Sequence, residues 1–445
     1  MDKIDDWILL QKNKRKGCFN SSYRHFDRKV TAKDYIEKGS LRNDLLSTAD
    51  LTKHKFWPLI RRDNTRRRFT KDIQNRLTIK QKNRPLMYLS HRDTCIVSYY
   101  AFLLKQNYEN IIAKEKISPS VIAYRKIPGD NGHNKNNIIF AKEVFLKLQT
   151  IDTPSVILCL DIHGFFDHIN HLVLRQELQQ FCSAIPEQNF KQIFKIITKY
   201  HYVFAKDVET LFEKMQESDK NLGDWPKNSV EYNKYIVREN IIHKNKHNYG
   251  IPQGTPISDI FSNIYLYNFD KDVFHELEKI SKDPFYRRYC DDIIFIIPRE
   301  DAKQFYEFVK QRIKQLKLKI SENKTEAFLL DNKKGIFKDI TNEYIKEEYV
   351  KDKHLLQYLG IRMNPITNEI LLRESTIAKY KRKVNHISKM QNSRKNKHKK
   401  PANGRTKRQP MGRYIIKAGE AFKSETLTVQ SKTIRKNAKK KLSKN

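Results

Sequence analysis

Residues 285–298 read FYRRYCDDIIFIIP, so that two adjacent acids, Asp291 and Asp292, stand between two strand-sized segments. The apolar run at residues 293–297 is typical of a buried strand, and we expect the two strands to meet at the acid pair. Adjacent carboxylates repel each other, and their pKa values rise unless a positive charge lies beside them. The stretch therefore predicts a β-hairpin that presents two acids at its turn.

A third acid ends another apolar run. Residues 156–162 (VILCLDI) predict a buried strand, and Asp161 lies near its end. A carboxylate buried there is costly unless it is paired or binds a cation. Carboxylates from neighbouring strands can hold two Mg²⁺ ions about 3.5–4 Å apart, one activating a 3′-hydroxyl and the other stabilising a leaving pyrophosphate. Asp161, Asp291 and Asp292 are therefore candidate catalytic residues and ligands of two Mg²⁺ ions.

A glycine-containing loop at residues 251–258 (IPQGTPIS) leads into residues 258–280, whose apolar spacing predicts one long amphipathic helix. Glycine lets a backbone approach a ligand closely, so we expect Gln253 and Gly254 to form a wall for the incoming nucleotide and the template base. Residues 301–317 predict a further helix, and residues 355–363 predict a strand.

The chain has 445 residues and a formal net charge of +37. A fold does not need this excess, so a polyanion such as nucleic acid is the expected partner. No apolar run approaches the roughly 18–20 residues that span a bilayer, so we expect no membrane partner. The N-terminal sequence has no signal-peptide pattern and the five cysteines form no CxxC pair, which predicts a cytoplasmic protein without disulfides or a cysteine zinc site.

Positive charge is concentrated in two regions. Residues 376–445 carry 23 Lys and Arg against two Glu, a net charge of +21, and residues 61–68 read RRDNTRRR. A charge run is often only a solvated face, but many Lys and Arg that neutralise phosphates give strong binding to nucleic acid. The candidate RNA-binding residues are Arg61, Arg62, Arg66, Arg67, Arg68, Arg394, Lys395, Lys397, Lys399 and Lys400.

The motifs resemble those of reverse transcriptases, both in order and in spacing. Residues 161–167 (DIHGFFD) are similar to the first palm motif, Pro252-Gln253-Gly254 to the second, and Tyr289-Cys290-Asp291-Asp292 to the YxDD box. Further similarities extend over residues 75–365: Arg84-Pro85-Leu86 and His91-Arg92-Asp93 with the fingers, Asn323-Lys324-Thr325 with the lysine motif after the catalytic hairpin, and Tyr358-Leu359-Gly360 with the primer grip.

The resemblance implies an α+β right-hand polymerase: fingers, a palm with a ferredoxin-like sheet, a short helical thumb and a basic C-terminal extension. We expect a helical and basic N-terminal extension over residues 1–70, and fingers and palm over 71–345 with a polar insertion at 200–248. The primer grip and short thumb would follow at 346–390, and a basic RNA-binding tail at 391–445.

The resemblance also implies roles for single residues. Arg84, with Lys80 or Lys82, would contact the triphosphate of a dNTP, and Phe166 would block a ribose 2′-hydroxyl, although either Phe165 or Phe166 can be a core ring. Lys324 would act on the pyrophosphate or be an exposed loop lysine. Arg92 and Asp93 either serve the fingers or form a structural pair. The candidate primer and template contacts are Tyr289, Tyr358, Leu359 and Gly360.

Within the family, residues 121–145 and 91–100 resemble the defence-associated bacterial enzymes of the unknown groups, which are related to retron and group II intron enzymes. This implies antiphage defence and a dedicated structured non-coding RNA as template, scaffold or both, with dNTPs as substrates and DNA as product. Template-independent or protein-primed DNA synthesis on the same palm is one alternative, and a non-catalytic RNA-binding protein is another. The sequence leaves homo-oligomerisation open.

Overall fold

A computed structural model describes residues 3–14, 18–20, 23–31, 51–71, 76–130, 132–218, 225–226, 228–345, 353–395 and 413–443. They form two compact units, each of which combines several chain segments. The first unit contains Met1–Tyr124, Ile162–Phe274 and Lys310–Lys319, and the second contains Arg125–Asp161, His275–Val309 and Ile320–Asn445. None of the helices in the described ranges is long and apolar enough to cross a bilayer.

The helices are, in chain order, α1 (Lys3–Lys12), α2 (His91–Lys114), α3 (Asn137–Gln149), α4 (Phe165–His168), α5 (His171–Leu178), α6 (Glu187–Thr198), α7 (Ala205–Ser218), α8 (Ser229–Tyr232), α9 (Ser258–Tyr265), α10 (Tyr267–Ile280), α11 (Ala302–Gln315), α12 (Glu374–Lys395), α13 (Arg413–Phe422) and α14 (Glu425–Ser443). The strands are β1 (Leu59–Lys71), β2 (Leu77–Tyr88), β3 (Ser155–Asp161), β4 (His201–Phe204), β5 (His243–Lys244), β6 (Phe285–Tyr289), β7 (Asp292–Pro298), β8 (Glu326–Asp331), β9 (Ile336–Asp339), β10 (Leu356–Tyr358), β11 (Ile361–Asn364) and β12 (Glu369–Leu372).

The first unit contains a four-stranded sheet in the order β2-β1-β4-β5. Its long hairpin of β1 and β2 runs antiparallel, and β4 adds to β1 in parallel. One face of the sheet covers a buried cluster of apolar side chains that includes Ile60, Val203, Phe212 and Trp225. The segment 200–248, expected to be an insertion, therefore contributes two strands and core residues to this unit.

Helix α2 is the main buried helix of the first unit. Ser90 caps its first turn by accepting a hydrogen bond from the Asp93 amide. Asp93 is fully buried, and its carboxylate contacts His54 Nε2 at 2.8 Å and the amide of Trp57 at 3.0 Å. Asp93 thus has structural partners on the chain that leads into β1.

The second unit contains a five-stranded antiparallel sheet in the order β6-β7-β3-β8-β9. The central strands of this sheet consist of continuous apolar runs, because both faces of these strands are covered. The predictions of a strand ending near Asp161, of a hairpin at residues 285–298 and of the helix α11 are confirmed.

A three-stranded sheet, β10-β11-β12, completes the second unit. Its edge strand β12 is covered by α14, since the Ile370 amide donates to Thr426 Oγ1 at 3.3 Å and the Leu372 amide donates to Gln430 Oε1 at 2.8 Å. Helices α13 and α14 also bury Ile415, Ala418 and Leu427. Within the expected basic tail, residues 413–443 are therefore packed helices.

Three other expectations differ from the structure. The helix at residues 258–280 is broken at Leu266, whose φ of −99° and ψ of 7° take the backbone out of the helical conformation. The expected strand at 355–363 is two strands with a turn between them. The domain boundary expected at residue 70 falls inside β1. This strand could not be predicted because its Arg-rich sequence lacks the apolar alternation of a half-buried strand.

Candidate active site

The register of the second unit's sheet brings two of the predicted acids together. Asp161, at the end of β3, lies directly opposite Asp292, at the start of β7. Directly opposite residues of an antiparallel pair place their side chains on the same face. Cys290 and Asp291 form a two-residue loop between the paired Tyr289 and Asp292. Cys290 has a φ of 61°, the left-handed conformation that short hairpin loops require at their first position.

Asp161 is held by residues that follow α11. Its side chain is buried, and Ser321 Oγ donates to Asp161 Oδ1 at 3.0 Å. The Ser321 amide donates to the Asp161 carbonyl at 2.7 Å. The Lys324 ammonium forms an ion pair with the same Oδ1 atom, and about half of the Lys324 side chain, 49%, remains exposed. Lys324 is therefore a charged neighbour of the central acid and is not an isolated loop lysine.

Burial and neighbouring acids raise the pKa values of Asp291 and Asp292. Desolvation, then repulsion from Asp291 and from Asp161, raises the pKa of the Asp292 carboxyl to about 7. Desolvation and repulsion from Asp161 also raise the pKa of Asp291, and the Lys324 charge opposes both shifts. Asp292 still keeps an exposed surface, so a cation or a substrate can reach it. The site therefore has carboxylates with an incompletely compensated negative charge.

The donor set fits Mg²⁺. Mg²⁺ prefers oxygen ligands and is usually bound by one or two carboxylates, with substrate phosphates and water in the remaining positions. Within the described ranges, no group of three or more Asp, Glu, His or Cys side chains is arranged to hold a metal ion by itself. Asp161, Asp291 and Asp292 would instead hold the ion together with the substrate, and the repulsion that raises the pKa values of the Asp pair is what a cation would relieve.

In the first unit, the structure separates the roles of the two phenylalanines. Phe165 is buried with 2% of its surface exposed and packs on Tyr265, with ring centroids 6.3 Å apart. Phe166 is only half-buried, and its carbonyl accepts a hydrogen bond from the Ile251 amide at 3.0 Å. Phe165 is thus the core ring, and Phe166 remains the candidate for sugar selection.

Two hydrogen bonds within the first unit hold the Gln253-Gly254 loop. Gln253 Nε2 donates to Asp167 Oδ1 at 3.3 Å, and the Met87 amide donates to the Gln253 carbonyl at 2.7 Å. Gly254 has a φ of 105°, and a Cβ there would lie 3.1 Å from the Met87 carbonyl oxygen. This position requires glycine because both the backbone conformation and the close strand exclude a side chain.

Eight of the basic residues predicted to bind nucleotide or RNA lie on the β1–β2 hairpin. Arg66 pairs with Lys82 and Arg68 with Lys80, while Arg84 lies opposite Asn64 and is exposed. The side chains of Arg66, Arg67, Arg68, Lys80 and Lys82 are outside the described part of the structure. Arg61 and Arg62 already have acidic partners, Asp63 and Glu209, both at 2.9 Å.

The candidate primer-grip residues form the turn between β10 and β11. Leu359 and Gly360 have φ angles of 45° and 93°. Tyr358 is buried, and its hydroxyl has no hydrogen-bond partner within the described residues. Tyr289 is half-buried at the end of β6. Arg394 and Lys395 end α12 with side chains outside the description, and Lys397, Lys399 and Lys400 lie outside the described residues altogether.

Two residues around the site were not foreseen from the sequence. Ser321 binds Asp161 from 160 positions away in the chain, and its only signal is its place two residues before the Asn323-Lys324-Thr325 motif. Tyr414 donates from its hydroxyl to the Leu359 carbonyl at 3.1 Å. Nothing in the sequence around Tyr414 indicates this contact.

Comparisons with known proteins place this site in context. A family model described as "Reverse transcriptase (RNA-dependent DNA polymerase)" matches residues 80–363. The chain is similar to apo telomerase from Candida tropicalis truncated from its C-terminal domain, with 12% identity, a TM-score of 0.42, and 82% of this chain and 66% of that chain covered.

The chain is also similar to telomerase from Candida albicans in complex with a TWJ fragment of telomeric RNA, with 12% identity, a TM-score of 0.38, and 92% of this chain and 60% of that chain covered. It thus spans less than two thirds of the length of these telomerase chains. A comparison with curated proteins found no match.

Proposed function

The chain belongs to the reverse transcriptase (RNA-dependent DNA polymerase) family, and on this premise we propose that it copies a structured non-coding RNA that it binds itself. Its α+β fold is the right-hand fold of that family, as expected from the sequence, and its activity is that of an RNA-directed DNA polymerase, a nucleotidyltransferase.

The proposed chemistry rests on one observation. Asp161 on β3 lies directly opposite Asp292 on β7, and Asp291 lies in the adjoining turn. We infer that the three carboxylates hold two Mg²⁺ ions. Such ions, when bound, lower the pKa of an attacking 3′-hydroxyl and stabilise the leaving pyrophosphate. The protein's part is to hold three carboxylates together where β3 ends and β7 begins.

Other residues would orient the substrates. Lys324 has a half-exposed side chain whose ammonium pairs with Asp161, so it could move from the acid to a phosphate oxygen of an entering dNTP. Phe166 would exclude a ribose 2′-hydroxyl. The fastened Gln253-Gly254 loop would support the template base, and Arg84 on β2 would bind the triphosphate.

A net charge of +37 supports an RNA partner, because the Lys and Arg excess exceeds what the fold needs. The resemblance of residues 91–100 and 121–145 to defence-associated bacterial enzymes is the basis for proposing antiphage defence in the bacterial cytoplasm. A dedicated RNA could then be template, scaffold or both.

The test is to purify the protein from cells that carry its native locus and to sequence the nucleic acid that co-purifies. A parallel sample carries Asp291→Ala and Asp292→Ala. DNA complementary to one bound RNA, and lost in the variant, is the expected result. DNA that matches no RNA would overturn templated copying in favour of untemplated or protein-primed synthesis. Bound RNA without DNA, before and after infection, would indicate an RNA-binding protein.

The defence role needs its own measurement. Phage plating efficiency is compared between cells with the wild-type locus and cells with the double Asp variant. We expect protection only with the wild type. Equal plating on both strains, over a panel of unrelated phages, would contradict the defence role and leave the polymerase chemistry untouched.

A further inference from the structure

An arginine side chain is fully buried next to the turn that carries Asp291. Arg288 is the penultimate residue of β6, and none of its surface is exposed. It lies directly opposite Ile293 on β7, and Ile293 lies directly opposite Leu160 on β3. Ile293 and Leu160 are buried too. The Arg288 side chain therefore shares one face of the sheet with two buried aliphatic side chains.

Asp161 and Asp292 lie on the other face of this sheet. Asp292 is directly opposite Tyr289 on β6 and Asp161 on β3, and successive side chains of a strand point to opposite faces. Arg288 precedes Tyr289, so its side chain leaves the strand on the side away from these acids. An effect of Arg288 on the acids therefore has to pass through the backbone of the turn between β6 and β7.

Arg288 is hydrogen-bonded to that backbone. Its Nη1 atom donates to the Cys290 carbonyl oxygen at 3.3 Å. This oxygen belongs to the peptide group that joins Cys290 to Asp291, and a peptide group is planar and rigid. A hydrogen bond to the oxygen therefore restrains the rotation of the whole peptide group. Because the group ends at the Asp291 nitrogen, its orientation determines where the Asp291 side chain points.

The turn needs a restraint of this kind. Cys290 has a φ of 61°, which is unfavourable for a residue that has a Cβ. When they are ionised, Asp161, Asp291 and Asp292 also repel one another, and this favours any rotation of the turn that moves Asp291 away. A guanidinium is suited to oppose such a rotation, because it stays protonated and donates from a rigid planar group.

We propose that Arg288 is a positioning residue, whose hydrogen bond to the Cys290 carbonyl sets the direction of the Asp291 carboxylate for metal binding. This inference rests on the proposed metal-binding role of the three acids. A buried charge is costly, and a well-packed apolar residue of similar size often replaces one without loss of stability. If Arg288 only filled space, methionine would therefore serve equally well. A positioning role predicts instead that function is lost with the hydrogen-bond donor.

The first measurement is hydrogen exchange of the full-length protein in EDTA, read by mass spectrometry on peptides that cover residues 285–298. It needs neither metal nor substrate. In Arg288→Met, the amides of the turn are expected to exchange faster than in the wild type, while β3 and β8 keep their protection. Arg288→Lys keeps the charge but lacks the planar group, so its turn should exchange at an intermediate rate.

The second measurement is primer extension over a series of Mg²⁺ concentrations. A partner that orients a metal ligand typically contributes a factor of about 10–100 to metal affinity or activity, so the half-maximal Mg²⁺ concentration should rise about tenfold or more in Arg288→Met. Arg288→Lys should again be intermediate. KM for primer–template should not change, because Arg288 is buried and has no access to the nucleic acid.

The preceding residue offers a matched control. Arg287 is half-buried, and its Nη1 atom donates to the Tyr286 carbonyl at 2.9 Å. This bond stays within β6 and does not reach the turn. Arg287→Met should therefore leave the exchange of the turn and the Mg²⁺ requirement unchanged. Thermal unfolding in EDTA verifies that each variant is folded, and Arg288→Lys provides the test if Arg288→Met does not fold.

Two results would overturn the positioning role. One is a folded Arg288→Met protein whose turn exchange and Mg²⁺ requirement equal those of the wild type. The other is a lower Tm in both Arg288 variants with neither quantity changed, which would make Arg288 a structural residue alone. The proposed metal-binding role fails separately, if EDTA does not affect primer extension by the wild type. Turn exchange, measured without metal, still decides whether Arg288 holds the Asp291 backbone.

Discussion

The hydroxyl of Tyr414, on helix α13, donates a hydrogen bond to the backbone carbonyl of Leu359, at 3.1 Å. Leu359 and Gly360 both have positive φ angles, and a Cβ on Gly360 would lie 3.0 Å from the same hydroxyl. Positive φ is unfavourable for a leucine, so the turn between β10 and β11 depends on outside support. A helix more than fifty residues away in the sequence provides it.

Tyr414→Phe tests whether this support matters for primer use. Loss of one hydrogen bond is expected to lower the free energy of unfolding by about 0.5–1.5 kcal/mol. If the turn positions the primer, KM for primer–template rises while KM for dNTP stays unchanged. Thermal unfolding and steady-state kinetics measure both, with Tyr344→Phe as the matched control. A stability loss without any change in primer KM would assign Tyr414 a structural role alone.

Gly254→Ala should abolish activity and destabilise the first unit. The alanine would have to adopt a φ of 105° and place its Cβ 3.1 Å from the Met87 carbonyl oxygen. Strained backbone of this kind costs about 1–3 kcal/mol. Gly335→Ala is the control, because Gly335 has a φ of 64° but no atom within 4 Å of the added Cβ. Denaturant unfolding should show a larger loss of unfolding free energy for Gly254→Ala than for Gly335→Ala. Equal losses of unfolding free energy would show that the contact with Met87 contributes nothing.

Phe166→Ala should reduce discrimination against ribonucleotides. Phe166 is half-buried next to the Gln253 loop, whereas Phe165 is a core ring, so the two substitutions separate selectivity from stability. We expect the ratio of kcat/KM for dNTP over NTP to fall roughly tenfold or more in Phe166→Ala. Phe165→Ala should instead cost about 3–5 kcal/mol of stability. An unchanged ratio in Phe166→Ala would remove this residue from sugar selection.

Asp292→Asn should stabilise the metal-free protein, and more so as the pH rises. Desolvation and two neighbouring acids raise the pKa of Asp292 from 3.8 to about 7. A carboxyl with a higher pKa in the folded protein stabilises the fold while it is protonated. This stabilisation is lost as the pH rises from the pKa of the unfolded protein to the pKa of the folded protein. The difference in Tm between variant and wild type, measured in EDTA, should therefore grow from about pH 4 to pH 8.

The control for this measurement is Asp130→Asn, which removes an exposed acid from a loop. Its Tm difference from the wild type over the same pH range is the baseline for comparison. A Tm difference for Asp292→Asn that does not change with pH would contradict the electrostatic account of the acid cluster.

Local patterns were enough to predict the strand that ends at Asp161 and the hairpin that bears Asp291 and Asp292, because continuous apolar runs determine buried strands. The same reasoning missed β1, since an Arg-rich strand is held by its backbone partners and shows no apolar alternation. It also missed α13 and α14, whose buried residues, such as Ile415 and Leu427, are diluted among lysines.

The contacts of the site itself were less accessible to sequence reasoning. Ser321 reaches Asp161 and Tyr414 reaches Leu359 across 160 and 55 positions. Such pairs depend on the order of strands in a sheet and on where helices pack. Neither can be predicted from a short stretch of sequence. Local sequence patterns identify the acids, whereas the hydrogen-bond partners of those acids follow only from the folded chain.

The side chains of Thr426 and Gln430, which bind the backbone of Ile370 and Leu372, have a consequence for handling this protein. An uncovered edge strand is a template on which a second molecule can add its own strand, and this leads to aggregation. Helix α14 blocks that edge. A protein truncated before residue 413 to remove its basic C-terminal region would therefore lose solubility as well as charge. Aggregation of such a protein would not be evidence about RNA binding.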